Sequence, residues 1–209
     1  MKIELETVEP EDIEKRSFEI IRSELKTPLE PELAPVILRA IHTTADFDYT
    51  DSLYFSPGVI SAARNALNNG ARIITDTNMA LSGINKTALE KLNCEAQCFM
   101  SDVDVAAAAK ADATTRAVAS MNKAMLLDGP LIFAIGNAPT ALIRLYELII
   151  EGFLSPALVV GAPVGFVNVV QSKELIMQTN VPCIVARGRK GGSNVAAAIV
   201  NALMYMITR

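Results

Sequence analysis

The chain has 209 residues, a length that suits one domain (1–209) whose core needs no disulfide or metal to hold it. It is 51% hydrophobic but only 5% aromatic, with no Trp, so the predicted core is aliphatic and rich in Ala. A formal net charge of −4 argues against a surface that binds nucleic acid globally, while leaving room for a local basic site.

No apolar run is long enough to span a bilayer. The start, Met1-Lys2-Ile3-Glu4, lacks the basic-then-apolar order of a secretory signal. The expectation is a cytoplasmic protein that does not engage a membrane. Cys94, Cys98 and Cys183 do not describe a disulfide framework and read as small buried hydrophobes.

The first seventy residues read as mostly helical. Helices are predicted over 11–25, 31–44 and 57–69, the last stopped by Gly70. From about Ile73 onward strands and helices alternate. Strands are predicted over 72–75, 96–99, 131–135, 158–160 and 183–186, as short apolar runs without the alternation of a half-exposed strand. Helices are predicted over 102–110, 114–127, 140–151, 166–178 and 195–207. This order predicts an α/β fold: three layers, α/β/α, around a mainly parallel sheet, with a helical N-terminal region.

Ligands of such sheets sit beyond the carboxyl ends of the strands. The turns there are Asp76-Thr77-Asn78, Ser101-Asp102, Gly136 to Thr140, Gly161 to Gly165, and Arg187-Gly188-Arg189-Lys190-Gly191-Gly192-Ser193. The last is the strongest signal. It places three cations among three glycines directly before a helix, where exposed amides attract carboxylates or phosphates. Its spacing is not that of a Walker A loop.

The only histidine, His42, lies near the end of the 31–44 helix. Arg39 is three residues before it and Asp46 four after, so an uninterrupted helix would put all three on one face. There Arg39 would hold a substrate anion and Asp46 would orient the imidazole. A histidine titrates near neutrality and suits general acid work. From spacing alone, however, a lone histidine is more often structural. Asp46, Asp48 and Asp51 lack the glycine and final Glu of a calcium loop, and Cys94 and Cys98 lack a second ligand pair, so no metal site is expected.

Several segments are familiar together. They are Arg16-Ser17-Phe18, residues 39–48 (RAIHTTADFD), Asp76-Thr77-Asn78-Met79, Thr115-Arg116-Ala117, residues 136–142 (GNAPTAL), residues 163–167 (PVGFV) with Ser172-Lys173-Glu174, and residues 188–193 (GRKGGS). In this order, over nearly the whole chain, they resemble the precorrin-8X methylmutase family, including its cobalt-precorrin-8 members. The resemblance implies an isomerase of corrin biosynthesis that moves a methyl group between adjacent carbons of ring C, giving hydrogenobyrinate or its cobalt form. It implies that His42 protonates the tetrapyrrole near ring C. Substrate contacts fall on Ser17, Arg39, Thr77, Arg116, Asn137, Arg189, Lys190 and Ser193, with Asp46 in support. It also implies a homodimer with sites at the subunit interface and no cofactor, any cobalt arriving inside the substrate. Two other readings stay open at this stage: a corrinoid carrier without turnover, and a nucleotide-dependent enzyme using Gly191, Gly192 and Ser193.

Overall fold

A computed structural model describes residues 6–209; the Met1–Glu4 segment considered above lies outside the described residues. The elements run α1 (Ile13–Glu24), α2 (Ala34–Thr44), α3 (Tyr49–Ser52), β1 (Leu53–Phe55), α4 (Val59–Asn68), β2 (Arg72–Thr75), α5 (Asn78–Gly83) and α6 (Lys86–Lys91). They continue β3 (Glu95–Gln97), α7 (Val103–Ala111), α8 (Arg116–Ala124), β4 (Leu131–Ile135), α9 (Pro139–Ile150), β5 (Leu158–Gly161), α10 (Val169–Met177), β6 (Cys183–Ala186) and α11 (Ser193–Thr208).

The six strands form one sheet in the order β1-β6-β5-β4-β2-β3. All neighbours are parallel except β1, which pairs antiparallel with β6. Every residue of β4, β5 and β6 is buried, as unbroken apolar runs require when helices cover both faces. Successive residues serve opposite faces. Ile132, Ala134, Leu158, Val160 and Ile184 join the core beneath α2, α4, α6 and α11. Leu131, Phe133, Ile135, Val159, Cys183 and Val185 join the core beneath α7, α8, α9 and α10.

The α/β/α layering predicted from sequence is present, with one addition. On the first face α4 and α11 lie on the sheet, α2 packs on α11 and α1 on α2. Covered from both sides, α11 is apolar around most of its circumference and buries ten of its side chains. The N-terminal helices are thus an outer layer over α11.

The structure corrects several boundaries. β1, α3, α5 and α6 were not predicted; each is too short to show a hydrophobic period. The third strand sits at 95–97 rather than 96–99. The helix expected from 166 begins at Val169, because Asn168 turns left-handed at φ 57 and ends the regular backbone there. Cys94 and Cys183 are buried as expected, but Cys98 is only half-buried. Among the described residues no helix is long and apolar enough to cross a membrane.

Candidate active site

The strand order reverses between β2 and β4, since β3 lies to one side of this pair and β5 and β6 to the other. A doubly wound sheet opens a crevice at that point. Here an internal carboxylate occupies it. Asp76, 1% exposed, accepts from the amides of Gly136 and Asn137 at 2.8 Å each and of Ala138 at 2.6 Å. Burial pushes the Asp76 carboxyl above its ordinary value, against the three amide bonds that favour its charge. In nucleotide enzymes of this architecture such amides receive a phosphate. In this chain they are already taken, which counts against the nucleotide reading.

Above Asp76 three residues predicted for substrate contact come together. Thr77 caps α5, accepting from the Ala80 amide at 3.0 Å, and its hydroxyl lies 2.7 Å from that of Ser193. Ser193 is the first residue of α11. Gly136 lets the β4 turn reach it: a Cβ there would stand 2.6 Å from Ser193 Cα. Asn137, the next residue, is exposed on the same rim.

The basic turn follows along that rim. Gly191, at φ 156, lies so close to the β5 turn that a Cβ would stand 2.2 Å from the Ala162 carbonyl. Gly192 donates to that same carbonyl at 2.8 Å, and Gly165 donates to the Arg189 carbonyl at 3.1 Å. The Arg189 guanidinium lies over the exposed Phe166 ring at 5.3 Å, and that of Arg187 over Tyr54 at 4.9 Å. Lys190 reaches out of the turn to Asp46 and Asp48, 2.6 Å from each. Those hydrogen bonds raise the Lys190 pKa and hold the Asp46 carboxyl below its usual range.

This link brings the carboxyl end of α2 to the rim. His42 is exposed there, its ring meeting that of Phe18 edge-on at 5.4 Å. An open cleft of about 400 Å³ runs beside it, lined by Ser17, Ile20, Ile21, Ile41 and Phe47 among others. Ser17 therefore shares a wall with His42, while its hydroxyl donates to Ile13 at 2.8 Å.

Two placements differ from the sequence expectation. α2 ends at Thr44 and Ala45 turns left-handed at φ 53, so Asp46 leaves the face that Arg39 and His42 share. Its carboxylate is bound to Lys190 and does not orient the imidazole. Arg39 is not an open clamp either. Its guanidinium makes a two-pronged pair with Glu14 at 2.8 and 2.9 Å and packs on Phe18 and Tyr205. It reaches His42 through Phe18.

Arg116 is exposed at the start of α8, on the other face of the sheet. A 3.2 Å contact between Thr115 and Thr140 sets it beside the first turn of α9. Within one chain, then, the predicted residues fall into three groups. His42 and Ser17 line the cleft, Thr77, Asn137, Ser193, Arg189 and Lys190 form the rim, and Arg116 lies beyond it. Sequence reading assigned no role to Asp76 or Lys173. A carboxylate directly after a strand at the reversal point could have indicated the first; for the second the one signal was its place in the Ser172-Lys173-Glu174 segment.

Comparison with known proteins identifies the family. The model of the precorrin-8X methylmutase family matches residues 12–206. A cobalt-precorrin-8 methylmutase of Priestia megaterium is 46% identical, over 96% of this chain and 89% of its own length. A precorrin-8X methylmutase of Pseudomonas aeruginosa is 41% identical, over 91% of this chain and 93% of its own. Among solved structures, a precorrin-8X methylmutase from Thermus thermophilus superposes with a TM-score of 0.86 at 40% identity, covering 93% of this chain and 96% of that one. With the family model, the curated relatives and the fold in agreement over nearly its full length, the chain belongs to the precorrin-8X methylmutase family and is an isomerase of cobalamin biosynthesis.

Proposed function

We propose that the chain moves a methyl group from C-11 to C-12 on ring C of precorrin-8X or cobalt-precorrin-8, giving hydrogenobyrinate or cobyrinate. The observation that carries this reading is the placement of the chain's only imidazole, exposed in a cleft whose end is tied to a basic, glycine-rich rim. Relatives of both names match it: cobalt-precorrin-8 methylmutases at 46% and 44% identity, and a precorrin-8X methylmutase at 41%.

In this reading His42 donates a proton to the macrocycle near ring C. The electron-poor carbon then draws the migrating methyl with its bonding pair. Substrate and product are isomers, so the proton is returned afterwards. The protein's work is to place one proton and to hold the macrocycle in a reactive shape. Arg116, Arg189 and Lys190 meet its carboxylates, with Thr77, Asn137, Ser193 and Ser17 as hydrogen-bond partners. Met79, Phe166 and Val167 are exposed in the segments that follow β2 and β5, where apolar side chains suit a macrocycle's apolar face. Asp46 sets where the Lys190 ammonium stands while offsetting part of its charge, and Arg39 supports the site through Phe18.

No cofactor belongs to the chain in this reading, and any cobalt enters with the substrate. Residues 1–209 act as one domain in a cytoplasmic homodimer, with neither nucleic acid nor membrane as partner. Separate placement of the His42 cleft and of Arg116 supports the dimer, because a second subunit would close one large site from the two. The test is parallel incubation with precorrin-8X and cobalt-precorrin-8, following the visible spectrum and separating the isomers. Turnover of neither would overturn the reading; the faster one names the substrate.

A further inference from the structure

Lys173 is a charged side chain with no part in the chemistry above, and it is fully buried in α10. It forms no ion pair with a carboxylate among the described residues. Its ammonium donates instead to two main-chain carbonyls of the basic turn, Gly188 and Lys190, at 2.8 Å each. Burying a cation without a counter-charge is unfavourable, and an apolar side chain would fill the same space without that cost. The two carbonyls are what the ammonium serves.

Their orientation has a consequence one bond away. The chain has no cis peptide among the described residues, and in a trans peptide the N–H points opposite to the carbonyl. With the Gly188 and Lys190 carbonyls drawn down to the ammonium, the amides of Arg189 and Gly191 face away from it. Neither amide donates to an acceptor in the described residues. Gly188 is left-handed at φ 74, a backbone that helps successive amides converge on an anion. The carbonyl dipoles, which would repel a carboxylate, are turned inward at the same time.

We infer that Lys173 is a positioning residue for the anion site: by holding the Gly188 and Lys190 carbonyls inward it presents the Arg189 and Gly191 amides to a carboxylate of the substrate. The inference rests on the function proposed above. Burial lowers the Lys173 pKa to about 8, which leaves the ammonium charged near neutrality. Lys190 then holds the same turn from the outside through Asp46 and Asp48, so the two lysines fix it from opposite sides.

Lys173→Met fills the volume without a donor, and Lys173→Gln keeps one donor group. For Lys173→Met the expected result is cooperative melting, KM raised roughly tenfold and kcat at saturation within about threefold of wild type. Lys173→Gln should fall between it and wild type. Should the Met variant not fold, the Gln variant carries the same test, with KM raised and kcat retained. A folded Lys173→Met with unchanged KM, or losses that only track the folded fraction, would overturn the inference. Titration with cobyrinate, read by its absorption, separates this from the proposed function. Weaker binding by Lys173→Met supports the anion site even if wild type turns over neither substrate. Equal binding by both proteins removes the inference and leaves the methylmutase reading intact.

Discussion

The ammonium of Lys190 lies 2.6 Å from the carboxylate of Asp46 and so joins the turn after the last strand to the chain leaving the His42 helix. Asp48 completes the group at the same distance. One cation thus faces two carboxylates, and a substrate anion meets Lys190 as part of a group with net negative charge.

Lys190→Ala leaves Asp46 and Asp48 unmatched beside the incoming substrate. The expected outcome is a KM raised about tenfold at low salt with kcat nearly unchanged, because the clamp acts in ground and transition states alike. The effect should shrink as salt screens these exposed charges. Asp46→Asn has the opposite sign, since it leaves Lys190 less matched and lowers KM. Steady-state kinetics across a salt series would show this, and three identical KM values would make the link a bystander.

His42→Ala is expected to bind the corrinoid and not isomerise it. The clamps stand on other elements, and no second imidazole exists to replace the lost one. Loss of the proton transfer should reduce the rate by roughly a hundredfold to ten-thousandfold. Binding is read from the spectral change and turnover from the quenched isomers. Normal turnover would remove His42 from the chemistry; a folded variant that does not bind would make it a ligand contact.

Asp76→Asn should destabilise the fold by about 1–3 kcal/mol. One Asp76 oxygen accepts the Gly136 amide and the other accepts those of Asn137 and Ala138. An asparagine offers an amide group in place of one acceptor, so a donor faces a donor in a buried site. Asp76→Ala should cost more, because it leaves three amides without a partner. Urea unfolding of the pair checks the order, and an Asn variant as stable as wild type would contradict it.

The Glu14 carboxyl is held down to about 2, chiefly by its hydrogen bond from Arg39, with burial opposing and the charges of Arg39 and Arg209 adding. A carboxyl lowered on folding stabilises the native state above its ordinary value of 4.5, and that contribution is lost as pH falls from there through about 2. Wild type should therefore melt above Glu14→Gln near neutrality, with the gap closing across this acid window. Melting curves down the pH scale test this, and a constant gap would show that the carboxylate charge is irrelevant.

Gly136→Ala should lower both stability and substrate affinity. Its Cβ would stand 2.6 Å from Ser193 Cα and 2.8 Å from the Ser193 amide, so backbone must move. Overpacking of this kind typically costs about 1–3 kcal/mol. The displaced element is the start of α11, which carries Ser193 against Thr77. Tm and KM should change together; a variant with native Tm and raised KM would point to a direct ligand contact instead.

The long elements were legible in the sequence because their physics is local. Residues 72–75, 131–135 and 183–186 are apolar runs flanked by turns, and they are strands with those bounds. His42 and the glycine-rich turn were visible as unusual residue types in unusual company. Their partners were not, because those are set by contacts between segments far apart in the chain. Lys190 and Asp46 are 144 residues apart, and Asp76 and Gly136 are 60 apart. Helical spacing placed Asp46 beside His42, but one left-handed residue at Ala45 ended the helix and sent the carboxylate elsewhere. Lys173 stood in the sequence only as part of the Ser172-Lys173-Glu174 segment, and its burial against the Gly188 and Lys190 carbonyls is set by tertiary packing. Periodicity and turn chemistry determined which segments are strands and helices; only the packing of β2, β4, β6 and α2 into one rim decided which charges meet there.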